Sequence, residues 1–448
     1  MSAGKTAAPA EARSARQRQQ AGLFSLFFIM YAYTTGGPYG LEGSVTSSGP
    51  GLTLVYILAL PFFWAIPMGL VAAELTTAMP VEGGFYRWVR AAFGDFWGFQ
   101  AGWWNWTSSF LLMSSYAVLV ADYANFYVPS LVGWRHYLVA LATTTLIAWV
   151  NVRGIRMVGA VSFVLTMMVL VPVAVMCAAA VPQWSHNPFV PMVAPGKSLR
   201  EVLGVGLALV LWGYSGYEQT SSCAEEVSNP QRSFPIALAL TVPVAIATYI
   251  LPTLLSLAAL GNWQDWNSRY YVDAARAIGG PAIGFAMFVS AAVCNLSLLN
   301  ATTLTGTRMP FAMADDGYLP RRLASVHSKF GTPATAIVLS ALLCAVFAVQ
   351  SLAQIISVYI WLRIAVTVLT VLACWRLRKT RPEMARPFRV PGGAAGIAYV
   401  VAAPVVMSVV SLVGSDPFAL KWGPVALAIG LAAYPLARLK SPEKASAQ

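Results

Sequence analysis

Among the charged residues that stand inside runs of apolar sequence are Glu42, Glu74, Asp122, Glu218 and Arg363. A charge in hydrocarbon is costly, and it persists where it binds something, pairs, or lines a wet path. Two of the acids lie just past flexible stretches. Glu42 follows "TTGGPYGL" and stands four residues, about one helical turn, beyond Pro38. Glu218 closes "LWGYSGYE", two residues after Gly216. A helix interrupted at membrane depth frees backbone N–H and C=O groups that nothing else there would satisfy. Pro38 has no N–H to give, so the first interruption offers mainly carbonyls. Carbonyls with a carboxylate one turn away suit an ammonium group. Aromatic faces attract the same cation, and Tyr39, Tyr116, Trp212, Tyr214 and Tyr217 surround the two interruptions. The expected substrate-binding set is therefore Gly36, Gly37, Pro38, Tyr39, Glu42, Tyr116, Trp212, Tyr214 and Glu218. Glu74, Asp122 and Arg363 are expected to gate or couple.

Each of these residues also has a structural reading. Glu42 could be solvated or paired at an outer mouth, and Glu218 could simply neutralise Arg363. Glu74 lies toward the cytoplasmic end of its span, where a structural or gating salt bridge is the natural use. Asp122 lies toward an outer end, in a vestibule or capping position. Glu225 and Glu226 face the cytoplasm in this reading and pair with loop arginines. The chain has 15 Trp, 18 Tyr and 21 Phe, and many aromatics in such a sequence pack or sit at the membrane interface. An unpaired Arg363 would cost at least ~2.5 kcal/mol, so it needs an acid or a hydrated cavity.

The elements that must hold these residues are membrane helices. Of 448 residues, 58% are hydrophobic and 10% charged, against roughly 25% charged in soluble proteins. Apolar runs of about 20 residues, enough to cross a bilayer, recur at 22–48, 52–79, 97–128, 137–152, 157–181, 201–227, 236–260, 281–313, 333–350, 353–377, 397–414 and 422–438. A membrane β-barrel would show shorter, alternating segments. The formal charge of +12 does not mark a nucleic-acid partner, because the basic residues cluster in alternate loops and at span ends. With the N-terminus inside, the outer side holds only Arg135, Lys197, Arg200, Arg269, Arg276 and Lys421. Arg363 lies mid-span, and the rest of the 29 Lys and Arg are cytoplasmic. This asymmetry places both termini inside. Residues 1–20 read as a cytoplasmic tail, not a signal peptide. The five cysteines lie in apolar segments and imply no disulfide or metal. His136, His186 and His327 lie in loops and form no ligand cluster.

The interrupted spans are the first and the sixth, five apart and so opposite in direction. Gly/Pro-interrupted segments at matching places in two halves point to an inverted-repeat transporter with its site near the midplane. The expected layout is a tail at 1–20, a first repeat at 21–181 (spans 1–5), a second at 201–378 (spans 6–10), two further spans at 395–439, and a second tail at 440–448. Close packing alone would also account for Gly36–Gly37.

Four further patterns occur in order: "ELTTAMPVEGGFYRWV" (74–89), "AEEVSNPQRSFP" (224–235), "RMPFAMADDGYLPRRLASVHSKFGTP" (308–333) and "RPFRVPGG" (386–393). With them the chain resembles the amino acid–polyamine–organocation transporter superfamily over nearly its whole length. The polyamine-uptake branch is the nearest in "GGPYGLEGSV" (36–45), in "YAVLVADY" (116–123) and in the acid at Glu218. Gly43 stands where that branch often has Asp, and Leu112 and Met113 stand where it can carry a polar or acidic pair. The resemblance implies an all-α integral membrane fold of about 12 helices, a LeuT-like 5+5 inverted repeat with helices 1 and 6 broken. In amino-acid carriers of that fold the freed N–H groups hold the substrate carboxylate. Sodium sites there combine span 1 carbonyls with span 8 hydroxyls, which "SLLNATTLTGT" (297–307) could supply. Some proton-coupled relatives use a span 5 lysine instead, and span 5 here has none; a titrating Glu218 or Glu42 would then carry the proton.

The chain thus reads as a secondary active transporter of the inner or plasma membrane, carrying polyamines or amino acids by alternating access, proton-coupled or by exchange. A neutral or cationic amino-acid permease is the alternative within the class. A membrane-embedded enzyme would need a nucleophile–base pair or a metal cluster at depth, and the sequence has neither. The expected partners are a small amine or amino-acid substrate and the lipid bilayer, with no nucleic acid. No cofactor is expected beyond a coupling proton or sodium ion.

Overall fold

The computed structural model describes residues 20–197, 202, 206–266, 270–349, 352–413 and 417–439. The expected tails, 1–20 apart from Gln20 and 440–448, lie outside the described residues, as do Arg200 and Arg269. Among the described residues there is no β-strand; an isolated bridge joins Ala21 to Val227. The fold is all-helical and built for a membrane. Among the described residues seven helices are long and apolar enough to cross one, and two shorter apolar helices, Leu23–Thr34 and Ala334–Phe347, accompany them. Spans 3 and 4 are the helices Asp95–Tyr127 and Trp134–Val152.

Spans 1 and 6 are both broken. Span 1 is helical over Leu23–Thr34 and again over Glu42–Ser48. Gly36 has φ +61°, a conformation that residues with a Cβ rarely adopt, and Pro38 denies the chain an N–H. Span 6 is helical over Leu207–Gly213, turns at Gly216 (φ +111°), and continues only as a 3₁₀ helix, Gln219–Glu226. The breaks pack on each other: a Cβ on Gly40 would lie 2.8 Å from the Trp212 ring, and one on Gly216 2.4 Å from the Tyr33 ring. Both glycines therefore let the opposite break approach.

Spans 3, 8 and 10 enclose this centre. Span 8 packs against spans 5 and 3, span 10 against spans 3 and 12, and span 7 against span 1. Span 8 begins at Gly280–Pro281, where a kink (φ +81° at Gly280) separates it from a leading helical segment at 270–279. The loop between spans 2 and 3 holds a helix that hydropathy alone does not reveal, Phe85–Phe93. Its face of Phe85, Tyr86, Trp88 and Val89 is buried. Arg87 and Arg90 leave the other face to bridge Asp315, Asp316 and Asp95.

Candidate functional site

Between the two breaks lies a cavity of about 20 Å³, room for roughly one water. Tyr33, Thr34, Thr35 and Tyr39 line it from span 1, Leu112 and Tyr116 from span 3, and Trp212, Gly213 and Ser215 from span 6. Tyr249, Leu298 and Tyr359 complete the wall from spans 7, 8 and 10. A second cavity of about 30 Å³ adjoins it across Trp212, Ser215 and Tyr359 and reaches Trp64 and Arg363. Tyr39 closes one end: its hydroxyl donates to the Met287 carbonyl at 2.9 Å and its ring meets Tyr271 edge-on.

Glu42 is the first residue of the second half of span 1 and is almost wholly buried. Its Oε2 accepts the Gly40 N–H at 2.6 Å, as an acid near a helix start should. Its Oε1 has no hydrogen-bond partner. Glu42 itself is not among the residues that line the cavity; the Gly40 that it binds faces the Trp212 ring.

Glu218 is equally buried and is not open. Arg363 sits on it as an ion pair, with side chains 6% and 2% exposed. The same guanidinium reaches Asn105 Oδ1 at 3.4 Å through Nη1. The Gln219 amide fits with its oxygen 3.1 Å from Arg363 Nη2 and its nitrogen donating to Asn105. Arg363 Nε and Asn105 Nδ2 remain buried without an acceptor.

The other acids named from the sequence are placed elsewhere. Glu74 receives Arg378 Nε at 2.8 Å, the Val390 N–H at 2.7 Å and Arg386 Nε at 3.4 Å. It thereby ties span 2 to the "RPFRVPGG" segment after span 10. Glu226 takes Arg308 in a two-point contact, Nε at 2.7 Å and Nη2 at 3.0 Å. Arg308, counted above with the cytoplasmic loop groups, is fully buried. Asp122 is 54% exposed and bound to His136 Nε2 at 2.7 Å, away from the breaks. Tyr214 turns outward from the cavity, its hydroxyl donating to the Ile57 carbonyl at 2.9 Å and its ring edge-on to Tyr249.

The structure thus brings Tyr39, Tyr116 and Trp212 to one cavity and Arg363, paired with Glu218, to the one adjoining it; Glu42 lines neither. Gly36 and Gly37 face spans 8 and 5, where a Cβ would meet Leu298 and Val169 at 2.7 and 2.8 Å. Tyr33, Thr34, Thr35, Ser215, Tyr249, Leu298 and Tyr359 were not singled out from the sequence. Thr34 and Thr35 adjoin the glycine pair and could have been read as part of the break; Tyr249 and Tyr359 carry no local signal.

The family profile described as amino acid permease matches residues 22–433. The chain is 32% identical over 391 residues to a probable polyamine transporter of Arabidopsis thaliana, covering 87% of this chain and 80% of that one. It is 31% identical over 426 residues to the polyamine transporter PUT1 of Oryza sativa subsp. japonica, covering 93% and 78%. To the polyamine transporter RMV1 of Arabidopsis thaliana it is 29% identical over 439 residues, covering 98% and 89%.

Proposed function

This chain belongs to the amino acid permease family, and from that premise we propose that it binds the ammonium group of its substrate at Glu42, between the broken spans. Membership makes it an integral membrane transporter of amines or amino acids, not an enzyme. The observation that carries the finer reading is the bare Oε1 of a buried carboxylate. A buried acceptor without a partner is costly, and an ammonium supplies both the missing hydrogen bond and the missing charge. Tyr39, Tyr116 and Trp212 offer it aromatic faces. The names of the relatives agree with a cationic amine as cargo.

The cavity is water-sized, so loading requires the walls to part. Alternating access supplies that motion, with Tyr39 over Met287 as the closure at one end and the Glu74, Glu226 and Asp316 ion pairs as the closure at the other. On the return step Glu42 needs another cation, which a proton or an exchanged amine provides. The same proposal places the protein in an inner or plasma membrane with both termini in the cytoplasm. The inverted repeat, with spans 1–5 mirrored by 6–10, is part of the same proposal. Uptake into proteoliposomes of putrescine, spermidine and arginine, measured against leucine, tests it. Cation uptake that Glu42→Gln abolishes while the protein stays folded supports the reading. Cation uptake that Glu42→Gln leaves intact overturns it.

A further inference from the structure

The chain is strongly basic where span 10, Leu352–Thr380, ends. Arg376, Arg378, Lys379, Arg381, Arg386 and Arg389 stand there against one acid, Glu383. Arg378 and Arg386 are taken up by the buried Glu74. Arg376 lies over the Phe93 ring at 5.1 Å and Lys379 over the Trp375 ring at 4.2 Å. Trp375 is exposed, and an exposed Trp with Lys and Arg at a helix end marks the membrane–water interface. Arg381 is also exposed and, among the described residues, has no ion pair. It lines a cleft of about 590 Å³, far larger than the cavities between the breaks. Arg87 and Arg90 enter the same cleft from the helix Phe85–Phe93, Asp95 is the acid that lines it, and Ala78–Val81 with Ala91 give it an apolar wall.

We propose that this cleft binds the phosphate of an anionic phospholipid from the adjoining membrane leaflet. Three observations carry it. A run of Lys and Arg directly at the end of a membrane helix attracts anionic lipid, and here only Glu74 consumes part of that charge. Guanidinium groups match phosphate oxygens in pairs, and three of them line one cleft. Arg87 and Arg90 are already shared with Asp315, Asp316 and Asp95. The Asp315 and Asp95 carboxylates are 60% and 54% exposed, however. Such contacts are weak, and a guanidinium has five donors to distribute, so a phosphate can join them while Arg381 supplies the unopposed charge. The third observation is the apolar wall, which suits the glycerol esters and first methylenes of a lipid and gives nothing to a soluble phosphate. The site lies outside both cavities at the breaks and depends on no assumption about cargo.

The test is native mass spectrometry of the full chain in detergent, titrated with phosphatidylglycerol and, separately, with phosphatidylcholine. The wild-type protein is expected to bind the anionic lipid at least ~10-fold more tightly, since several basic groups near a membrane surface each favour it. Arg381→Gln should weaken phosphatidylglycerol by ~5-fold and leave phosphatidylcholine unchanged, whereas Arg381→Lys should retain most of the preference. Arg381 is exposed, so neither change threatens the fold. Arg232→Gln, an exposed basic residue that does not line the cleft, is expected to change nothing. Equal binding of the two lipids overturns the proposal, and so does an Arg381→Gln variant that binds as wild type. A loss of the same size in Arg232→Gln would show a diffuse attraction of the whole basic surface and would overturn the cleft as the site. Glycerol 3-phosphate supplies the headgroup chemistry without the chains. If it displaces phosphatidylglycerol at equal concentration, the ligand is a soluble phosphate and the lipid reading falls; no displacement supports the lipid.

Discussion

The two broken spans use one device to different ends. Each carries an acid close to its break, and each acid is buried. At the second break a permanent cation from span 10 neutralises Glu218. At the first, Glu42 has a backbone N–H on one oxygen and nothing on the other. Two more buried acids, Glu74 and Glu226, follow the second pattern, each held by arginine. A paired acid holds elements together, whereas an unpaired one is ready for a ligand. On the proposed reading, binding belongs to the first break, and the second break, with the two outlying pairs, serves as scaffold and gate.

The largest expected effect tests the paired side. Arg308→Met would leave Glu226 buried without its cation, and losing one member of a buried pair typically costs about 3–5 kcal/mol. Thermal and denaturant unfolding in detergent should show that loss. A variant as stable as wild type would mean that the pair is solvated in the working protein. The contrast is Glu42→Gln, which should change stability by less than ~1 kcal/mol, because the amide oxygen can still accept the Gly40 N–H.

Binding inverts this order, and it is the second expected effect. A charge-assisted hydrogen bond contributes roughly 1.5–3 kcal/mol, so Glu42→Gln should weaken a cationic substrate by ~10- to 100-fold. A neutral amino acid should change by less than about threefold, the scale of an exposed contact. Competition assays on the purified variant measure both. Equal losses for arginine and leucine would mean that Glu42 holds the helix and not the cargo.

Much of this was legible in the sequence. The spans follow from apolar run length, and both breaks from Gly and Pro, because these signals are local. Arg363 announced itself by position, since a lone cation at depth must find an acid. Which acid it finds depends on how span 10 lies against the 3₁₀ half of span 6, and no local pattern encodes that. The helix Phe85–Phe93 was hidden because it is amphipathic and short, and average hydropathy dilutes its buried face. Tyr214 misled for a related reason. It stands in the break, but its ring turns to span 2, where Ile57 offers a carbonyl.

Tyr214→Phe converts that last point into a third, smaller prediction. It removes one buried hydrogen bond and should cost about 1 kcal/mol of stability. Uptake kinetics should stay within about twofold of wild type, because the lost hydroxyl faces away from the cavity. A marked change in KM would show that the ring reorients during transport and that the comparison of the two breaks misses a moving part.

The smallest effect is expected at Asp122, an acid that the comparison places on neither side. It is half exposed, and its partner His136 comes from the start of the next span. Exposed pairs contribute about 0–1 kcal/mol, since water solvates both groups nearly as well apart as together. Asp122→Asn keeps the shape and can still hydrogen-bond His136, so stability should fall by less than ~0.5 kcal/mol. Uptake of arginine should be unaltered in both KM and maximal rate. A lowered on-rate at low salt that vanishes at high salt would instead make Asp122 an attractor for cations approaching the carrier, because long-range steering is screened within about 10 Å at 0.1 M salt. A loss that salt does not touch would mean that a carboxylate outside the breaks takes part in transport. The division between the acid at the first break and the arginine-held ones would then have to be redrawn.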